Sequence, residues 1–526
     1  MEYKFMDFIK KNKYKIVLLV LAILFFCLYN YLNFSHQNIF NSPDETANFV
    51  LSKSFVETNK ISYTLQNNFD KLNEFIHPRS TFVFGNNILP VSFITFIIVS
   101  GFVGKIFGTG IIVYLNSIFL ILAVLAFFGI NKKIFDEKVS FLSSVLFFML
   151  PAVWYYLERS MFHNITFVSL VIIGLWFILC QPFRKQIWLS DLLGMSIFML
   201  GVFMRPNEMT WIGLVFLFTI IYFKKQIKIS RLIMWSSVAV FFVLMYVFAN
   251  FYFYGSVSTG YVASNSLQVH KWYSLLFPFG FDFLMTIKSV WNYFFKMNIL
   301  FGVSAFLSGI FFVYLFLKNK LNKVQKVYFV SLLVSSLFLF FYYGSNHDNL
   351  YNLKTVAVAY VRYWLPIFIG FLPIIVFFII EVLKKIKNNV GKNLLYFVYI
   401  VVFFFLSFNI VYKGIDGVLA VDNQLKYMTE IKNWVVDNTS QDAIIVTDHE
   451  DKYFWPQRQI VVDFYNDSIG QTIPALLEKN AEMYYFVPKQ TEEDYTKMLV
   501  YLAKFAFDVD VFQRFNSHTL YKLNLP

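Results

Sequence analysis

Long apolar runs recur through the first 413 residues, each bounded by polar or basic segments. Runs of this length cross a hydrocarbon layer of about 30 Å as helices. They predict spans near 14–33, 111–130, 139–157, 165–182, 188–204, 209–223, 232–254, 297–317, 327–343, 364–383 and 395–413. The first run is long and no small-residue cleavage site follows it, so it is expected to stay as a span. From Gly414 the pattern changes to short amphipathic and β-rich stretches. LKYMTEIKNWVV reads as a helix, AIIVT and QIVVDF as strands, IPALLEKN as a helix, MYYFV as a strand and EDYTKMLVYLAKF as a helix. The expected architecture is mainly α: a polytopic membrane domain over 1–413 and a small α/β domain over 414–526.

The loops assign sides. Lys4, Lys10, Lys11, Lys13 and Lys15 precede the first span. Lys132, Lys133 and Lys138, then Arg184 and Lys185, then Lys224, Lys225, Lys228 and Arg231 fill three later loops. Two more carry Lys318, Lys320, Lys323 and Lys326, and Lys384, Lys385, Lys387 and Lys392. The positive-inside tendency places all six segments in the cytoplasm. Residues 88–107 are also apolar enough to span. A second crossing there would turn every later basic loop outward, so 88–107 is expected as a re-entrant or interfacial helix on the outer face. Lys105 fits, because it can snorkel to the headgroups. Eleven spans result, with the N-terminus cytoplasmic. The first outer loop, 34–110, and the domain after 414 are extracytoplasmic, on a multi-pass protein of the cell membrane.

Composition agrees with a lipid-embedded chain. Of 526 residues 58% are apolar and only 15% charged, with 68 Phe, which excludes an ordinary soluble fold. The net charge of +13 could be read as a nucleic-acid signal. Its placement excludes that reading: the last 113 residues hold 10 basic and 17 acidic side chains, so the excess lies in the membrane half. Cys27 and Cys180 both sit in apolar runs, which leaves no disulfide framework or zinc ribbon.

The unusual polar residues lie on the outer side. Asn41-Ser42-Pro43-Asp44-Glu45 opens the first loop; Ser42 or Asp44 can start a helix with an acidic first turn, and a carboxylate there can also act as a general base. His77-Pro78-Arg79-Ser80 follows in the same loop, where a proline turn with a solvated Arg is the simpler reading. Glu158-Arg159, His163 and Asn164 share a very short loop, so they should pair internally or face a wet cavity. Arg205-Pro206-Asn207-Glu208 and Arg362-Tyr363-Trp364-Leu365-Pro366 recur at the same level. One acidic pair and four arginines (Arg79, Arg159, Arg205 and Arg362) thus face outward. Arginine suits bidentate phosphate contacts, and a carboxylate suits deprotonation of a hydroxyl. No glycine fingerprint for nucleotides, P-loop or HExxH helix is visible.

At these residues the chain resembles the GT-C superfamily of membrane glycosyltransferases. It looks most like glycosyltransferase family 39, which includes protein O-mannosyltransferases and lipid A aminoarabinose transferases. Asp44-Glu45 matches the acidic pair of that family's first outer loop, His77-Pro78 part of its His-Pro-Pro-Leu-like segment, and Arg362-Tyr363-Trp364-Leu365-Pro366 its Arg-Tyr-x-x-Pro segment. The stretch Tyr254-Gly255-Ser256-Val257-Ser258-Thr259-Gly260-Tyr261 resembles one in some bacterial relatives. Two departures stand out: Arg79 replaces the second proline, and Asn164 replaces the acid expected five residues after Arg159. If that acid ordinarily binds a metal or an amine, the function is lost here or has moved, with Glu158 as one place for it.

The resemblance implies a monosaccharide donor linked to polyprenyl phosphate and a hydroxyl acceptor on a protein, lipid or glycan. No cofactor or metal is expected. Asp44 is the expected base, with Glu45 orienting it or binding the acceptor. Arg159, Arg205, Arg362 and Arg79 are expected at the donor phosphate, and His77, Glu158, His163, Asn164, Tyr261 and Tyr363 in the substrate cavity. Two other classes stay open: a flippase or transporter of lipid-linked sugars, and a non-catalytic surface-glycan assembly protein. Against transport, the charged candidates cluster at span ends and no internal repeat is evident.

Overall fold

The computed structural model describes residues 2–36, 38–66, 68–223, 227–256, 260–263, 277, 280–345 and 355–526. Lys224 and Lys225 of the basic loops, and Val257-Ser258-Thr259 of the 254–261 stretch, lie outside the described residues. The chain divides into two compact units: 1–35, 114–249 and 268–420 form one, and 36–113, 250–267 and 421–526 the other.

The first unit is helical. Among the described residues nine helices of the chain are long and apolar enough to cross a membrane, and a bent pair raises this to ten. That pair, Glu137–Met149 and Pro151–Glu158, covers the span expected over 139–157 and is bent by 46° at its break. Pro151 is the cause: it supplies no N–H and disfavours helical backbone at Leu150, which is extended (φ −60°, ψ 123°). The helix Glu2–Leu28, where the first span is expected, is not among these crossing helices; it ends at Leu28 rather than near residue 33, and a short helix Tyr31–Ser35 follows. The chain is therefore a multi-pass membrane protein.

Lipid provides no hydrophobic drive between helices, so close backbone approach has to supply the packing. Helices His163–Cys180 and Ile187–Met204 show how. A Cβ on Gly174 would stand 2.6 Å from the Phe198 backbone nitrogen, and one on Gly194 2.7 Å from Ile178 Cγ1. Near the other end of the pair, a Cβ on Gly201 would stand 2.9 Å from the Val171 nitrogen. Asp191, fully buried on the same helix, accepts both arms of Arg231: Nε donates to Oδ2 and Nη2 to Oδ1, each at 2.6 Å.

The second unit carries both sheets. Strands β1 (Tyr63–Thr64), β2 (Thr81–Phe84) and β3 (Asn87–Pro90) form an antiparallel sheet in the order β1-β3-β2. The helix Ile94–Phe107 follows β3. The expected helical segment 88–107 is thus shorter at its start, because Asn87–Pro90 pairs as a strand. Fourteen residues rise about 21 Å, short of a crossing.

The larger sheet comprises β4 (Ile444–Thr447), β5 (Gln459–Val462), β6 (Met483–Pro488), β7 (Asp508–Arg514) and β8 (His518–Asn524), in the order β5-β4-β6-β8-β7. β4 pairs in parallel with β5 and β6 and is buried at all four residues, as a central parallel strand requires. Helices Val418–Asn438, Asp467–Glu478 and Glu492–Phe505 overlap the three predicted helical segments, the first two starting seven and six residues earlier. The antiparallel β7–β8 hairpin is an addition to the expected elements. An isolated bridge between Ile76 and Val461 joins the segment before β2 to β5.

The glycine contacts give a direct expectation. Gly174→Leu drives a side chain into backbone that cannot yield, so the purified protein should lose about 1–3 kcal/mol or more. Thermal melting in detergent should show this, with Gly309→Leu, which meets open space, as the control.

Candidate functional site

Asp44 sits in the first turn of the helix Pro43–Thr58. Pro43 occupies the first helical position, where a missing N–H costs nothing. Ser42 is the N-cap residue, but its side chain makes no capping bond, so the acidic first turn, not a hydroxyl cap, meets the helix start. Ser80 Oγ donates to Asp44 Oδ1 at 2.5 Å. Ser80 itself has φ +64°, a left-handed conformation uncommon for a residue with a Cβ. The backbone strain and the carboxylate bond meet at one residue, as they do where a loop is held for function. Asp44 is partly exposed, whereas Glu45 is 1% exposed.

Arg79 stands elsewhere in chemical terms. Its backbone N–H donates to Asp451 Oδ2 at 2.9 Å, its Nε and Nη2 to Asp451 Oδ1 at 2.9 and 2.7 Å, and Nη2 also to the His449 carbonyl at 2.5 Å. Asp451 is fully buried. Arg79 therefore clamps the loop to the segment after β4, and the solvated proline turn of the simpler reading is not what forms. His77 Nδ1 lies 3.0 Å from the Pro78 carbonyl. A carbonyl only accepts, so Nδ1 carries the proton, and burial lowers the His77 pKa in favour of this neutral form. Tyr261 packs edge-on against Phe93 at 5.2 Å.

The remaining expected residues belong to the first unit. Glu158 is 2% exposed and accepts from the Leu32 N–H and from Tyr412 Oη, both at 3.0 Å. It ties the ends of the first and last spans to the short loop, and Arg159 is not its partner in these bonds. Arg159 Nη1 donates to Tyr155 Oη at 3.2 Å, and its Cζ lies 5.5 Å from the centre of the Phe162 ring. Arg362 Cζ lies 4.3 Å from the same ring. Two guanidinium groups therefore sit no more than about 10 Å apart around one aromatic side chain. Asn164 is 1% exposed, and its Oδ1 has no hydrogen-bond partner among the described residues.

Arg205 is committed on every arm. Nε donates to Glu208 Oε1 at 3.0 Å, Nη1 meets His163 Nε2 at 3.1 Å, and Nη2 donates to Tyr343 Oη at 2.8 Å. Arginine only donates, so His163 Nε2 accepts and its proton is on Nδ1. Tyr343 passes the chain on to Glu208 Oε1 at 2.5 Å, and Trp211 Nε1 donates to Oε2 at 2.6 Å. Tyr363 lies under Arg205 at 4.8 Å and stacks on Tyr343 at 4.4 Å. Arg205 and Glu208, both nearly inaccessible, neutralise each other inside this network.

The sequence reading thus missed Asp451 and Tyr343 altogether, and named Ser80 and Glu208 only as neighbours of arginines. Glu208 had a local signal, an acid three residues after Arg205 at a helix start. The other three act across long separations that no local pattern reports. Among the described residues no group of three or more His, Cys, Asp or Glu side chains is placed to hold a metal ion.

No protein-family model matches this chain, and no curated protein matches it in sequence. Solved structures do match in fold. ArnT from Cupriavidus metallidurans, bound to undecaprenyl phosphate, aligns with a TM-score of 0.53 and 10% identity over 97% of this chain and 98% of that one. The same protein in the apo state gives 0.55 at 10% identity, covering 98% of both chains. The archaeal oligosaccharyltransferase AglB from Archaeoglobus fulgidus, in complex with an inhibitory peptide and a dolichol-phosphate, gives 0.53 at 10% identity, covering 94% of this chain and 71% of that one. The fold is thus of the GT-C type expected from the sequence.

The Arg205 network yields a stability test. Glu208→Ala strands a buried guanidinium and should cost about 3–5 kcal/mol, while Glu208→Ala with Arg205→Met removes both charges and should cost clearly less. Melting of the two purified variants against wild type checks the order.

Proposed function

We propose that this protein is an integral membrane glycosyltransferase that moves a monosaccharide from a polyprenyl-phosphate donor to an acceptor hydroxyl on the outer face of the cell membrane. The supporting observation is the near-complete mutual coverage with ArnT bound to undecaprenyl phosphate, in a chain whose Asp44 is oriented by Ser80. Identity of 10% carries the fold and not the reaction, so the reading rests on the chemistry of this chain's own side chains.

In this reading Asp44 accepts the proton of the acceptor hydroxyl. The acceptor oxygen forms a bond to the anomeric carbon as the bond from that carbon to the phosphate oxygen breaks. The phosphate departs as a weakly basic anion, so no general acid is required at the leaving group. Arg159 and Arg362 take the developing negative charge, which builds up only as the bond breaks. Arg205 acts as a positioning residue, because its charge is met by Glu208; it fixes His163, Tyr343 and Tyr363 instead. Arg79 holds the loop that presents Ser80. No metal or cofactor is assigned a role, and the acceptor is a protein, a lipid or a glycan.

Purified protein supplied with radiolabelled polyprenyl-phosphate sugars tests this. Asp44→Asn should lower kcat about a hundred- to ten-thousandfold with an unchanged melting temperature. Arg159→Gln and Arg362→Gln should each lower kcat/KM for the donor by about a hundredfold. Undiminished transfer by Asp44→Asn removes it as the base. Movement of labelled lipid across proteoliposomes without sugar transfer replaces the reading with a flippase.

A further inference from the structure

The second unit contains a cavity of about 680 Å³ beside the helix Pro43–Thr58. Four lysines line it (Lys53, Lys60, Lys432 and Lys452) against one carboxylate, Glu57. Lys53 stands 3.8 Å from Glu57 with both side chains more than half exposed, a pair that contributes little. Lys452 reaches the Asn41 carbonyl at 3.2 Å. The ammonium groups of Lys60 and Lys432 meet no hydrogen-bonding or ionic partner among the described residues. This excess of positive charge arises in a unit whose residues 421–526 hold 16 acids and 10 bases, so it is not the general character of the unit.

Aromatic rings complete the lining. Tyr63 packs edge-on against Trp455 at 5.8 Å, and both border the cavity with Tyr453. Trp455 is 3% exposed, and its buried indole N–H has no hydrogen-bond partner among the described residues. Ser54, Ser62 and Thr64 add hydroxyls. Thr46 also lines the cavity, two residues from Asp44 on the same helix, so one end lies within a helical turn of the proposed base.

We propose that this cavity binds the acceptor, and that the acceptor is an anionic glycan carrying carboxylate or phosphate groups. The inference rests on the transfer reading above and adds the substrate class to it. The lysines pair with the anionic groups, and the aromatic faces pack on the C–H faces of the sugar rings. A peptide would instead take a free strand edge or separate apolar pockets for its side chains.

The test uses full-length protein in phosphatidylcholine nanodiscs and fluorescent tetragalacturonate as probe. Saturable binding is expected, with uncharged maltotetraose about tenfold weaker or worse. Lys60→Gln with Lys432→Gln should weaken the charged probe about tenfold at an unchanged melting temperature, and Lys→Arg at both positions should restore it. Equal affinity for the two sugars, or indifference to the lysine variants, overturns the proposal. So does equally tight binding of tetraglutamate, which points to a peptide, or loss of probe binding in phosphatidylglycerol nanodiscs, which points to a lipid headgroup. If wild type transfers sugar to another acceptor yet binds no tetragalacturonate, the acceptor inference alone falls. If the probe binds and no donor is turned over with any acceptor, the transfer reading alone falls.

Discussion

The cost of a charge inside a bilayer governs where this chain puts its polar groups. An unpaired ion at membrane depth is too expensive to keep, so it must be excluded, paired or given a wet cavity. Most lysines of the first unit gather at helix ends and in the loops between them, where their placement predicts the sides of the spans. The acids that remain among the helices are tied down. Asp191 takes both arms of Arg231, Glu208 takes Arg205 and Trp211, and Glu158 takes a backbone N–H and Tyr412. Each pair also fixes one element against another, so the charges that the membrane will not tolerate alone become its internal ties.

The same economy of partners continues in the unit that carries the two sheets. Asp451 is fully buried, and Arg79 spends its backbone N–H and two side-chain nitrogens on it. His36 lies 2.7 Å from Asp422, which also receives Lys426. These contacts join residues 36–79 to residues 422–451 across most of the sequence. They explain why the loop shares a compact unit with the C-terminal sheet. Ser80, next to the clamped Arg79, is then held well enough to keep a left-handed backbone and orient Asp44.

What could be read from the sequence follows from which signals are local. Apolar length and loop charge are local, so the spans and the short helix Ile94–Phe107 emerge from them. Pro151 was visible, but pattern alone does not say whether a helix bends or stops there. The strands of the first loop are two to four residues long, too short for an alternation to register. β7 exposes most of its residues at a sheet edge, so it lacks the buried face that marks β4 and β6. The site divides the same way. Asp44 and the arginines stand out as residue types in unusual places. Their partners do not: Asp451 lies 372 residues from Arg79, and Tyr343 lies 138 from Arg205.

Those partners change what the arginines can do. From residue type alone the four were equivalent phosphate ligands. A guanidinium held by a buried carboxylate has its charge cancelled and its donors occupied, so an anion would have to displace that carboxylate into a place with no water to receive it. This applies to Arg79 with Asp451 and to Arg205 with Glu208. Arg159 and Arg362 share a different neighbour, the Phe162 ring, whose face attracts a cation. The four arginines are thus set apart by the groups packed around them, which residue type alone does not carry.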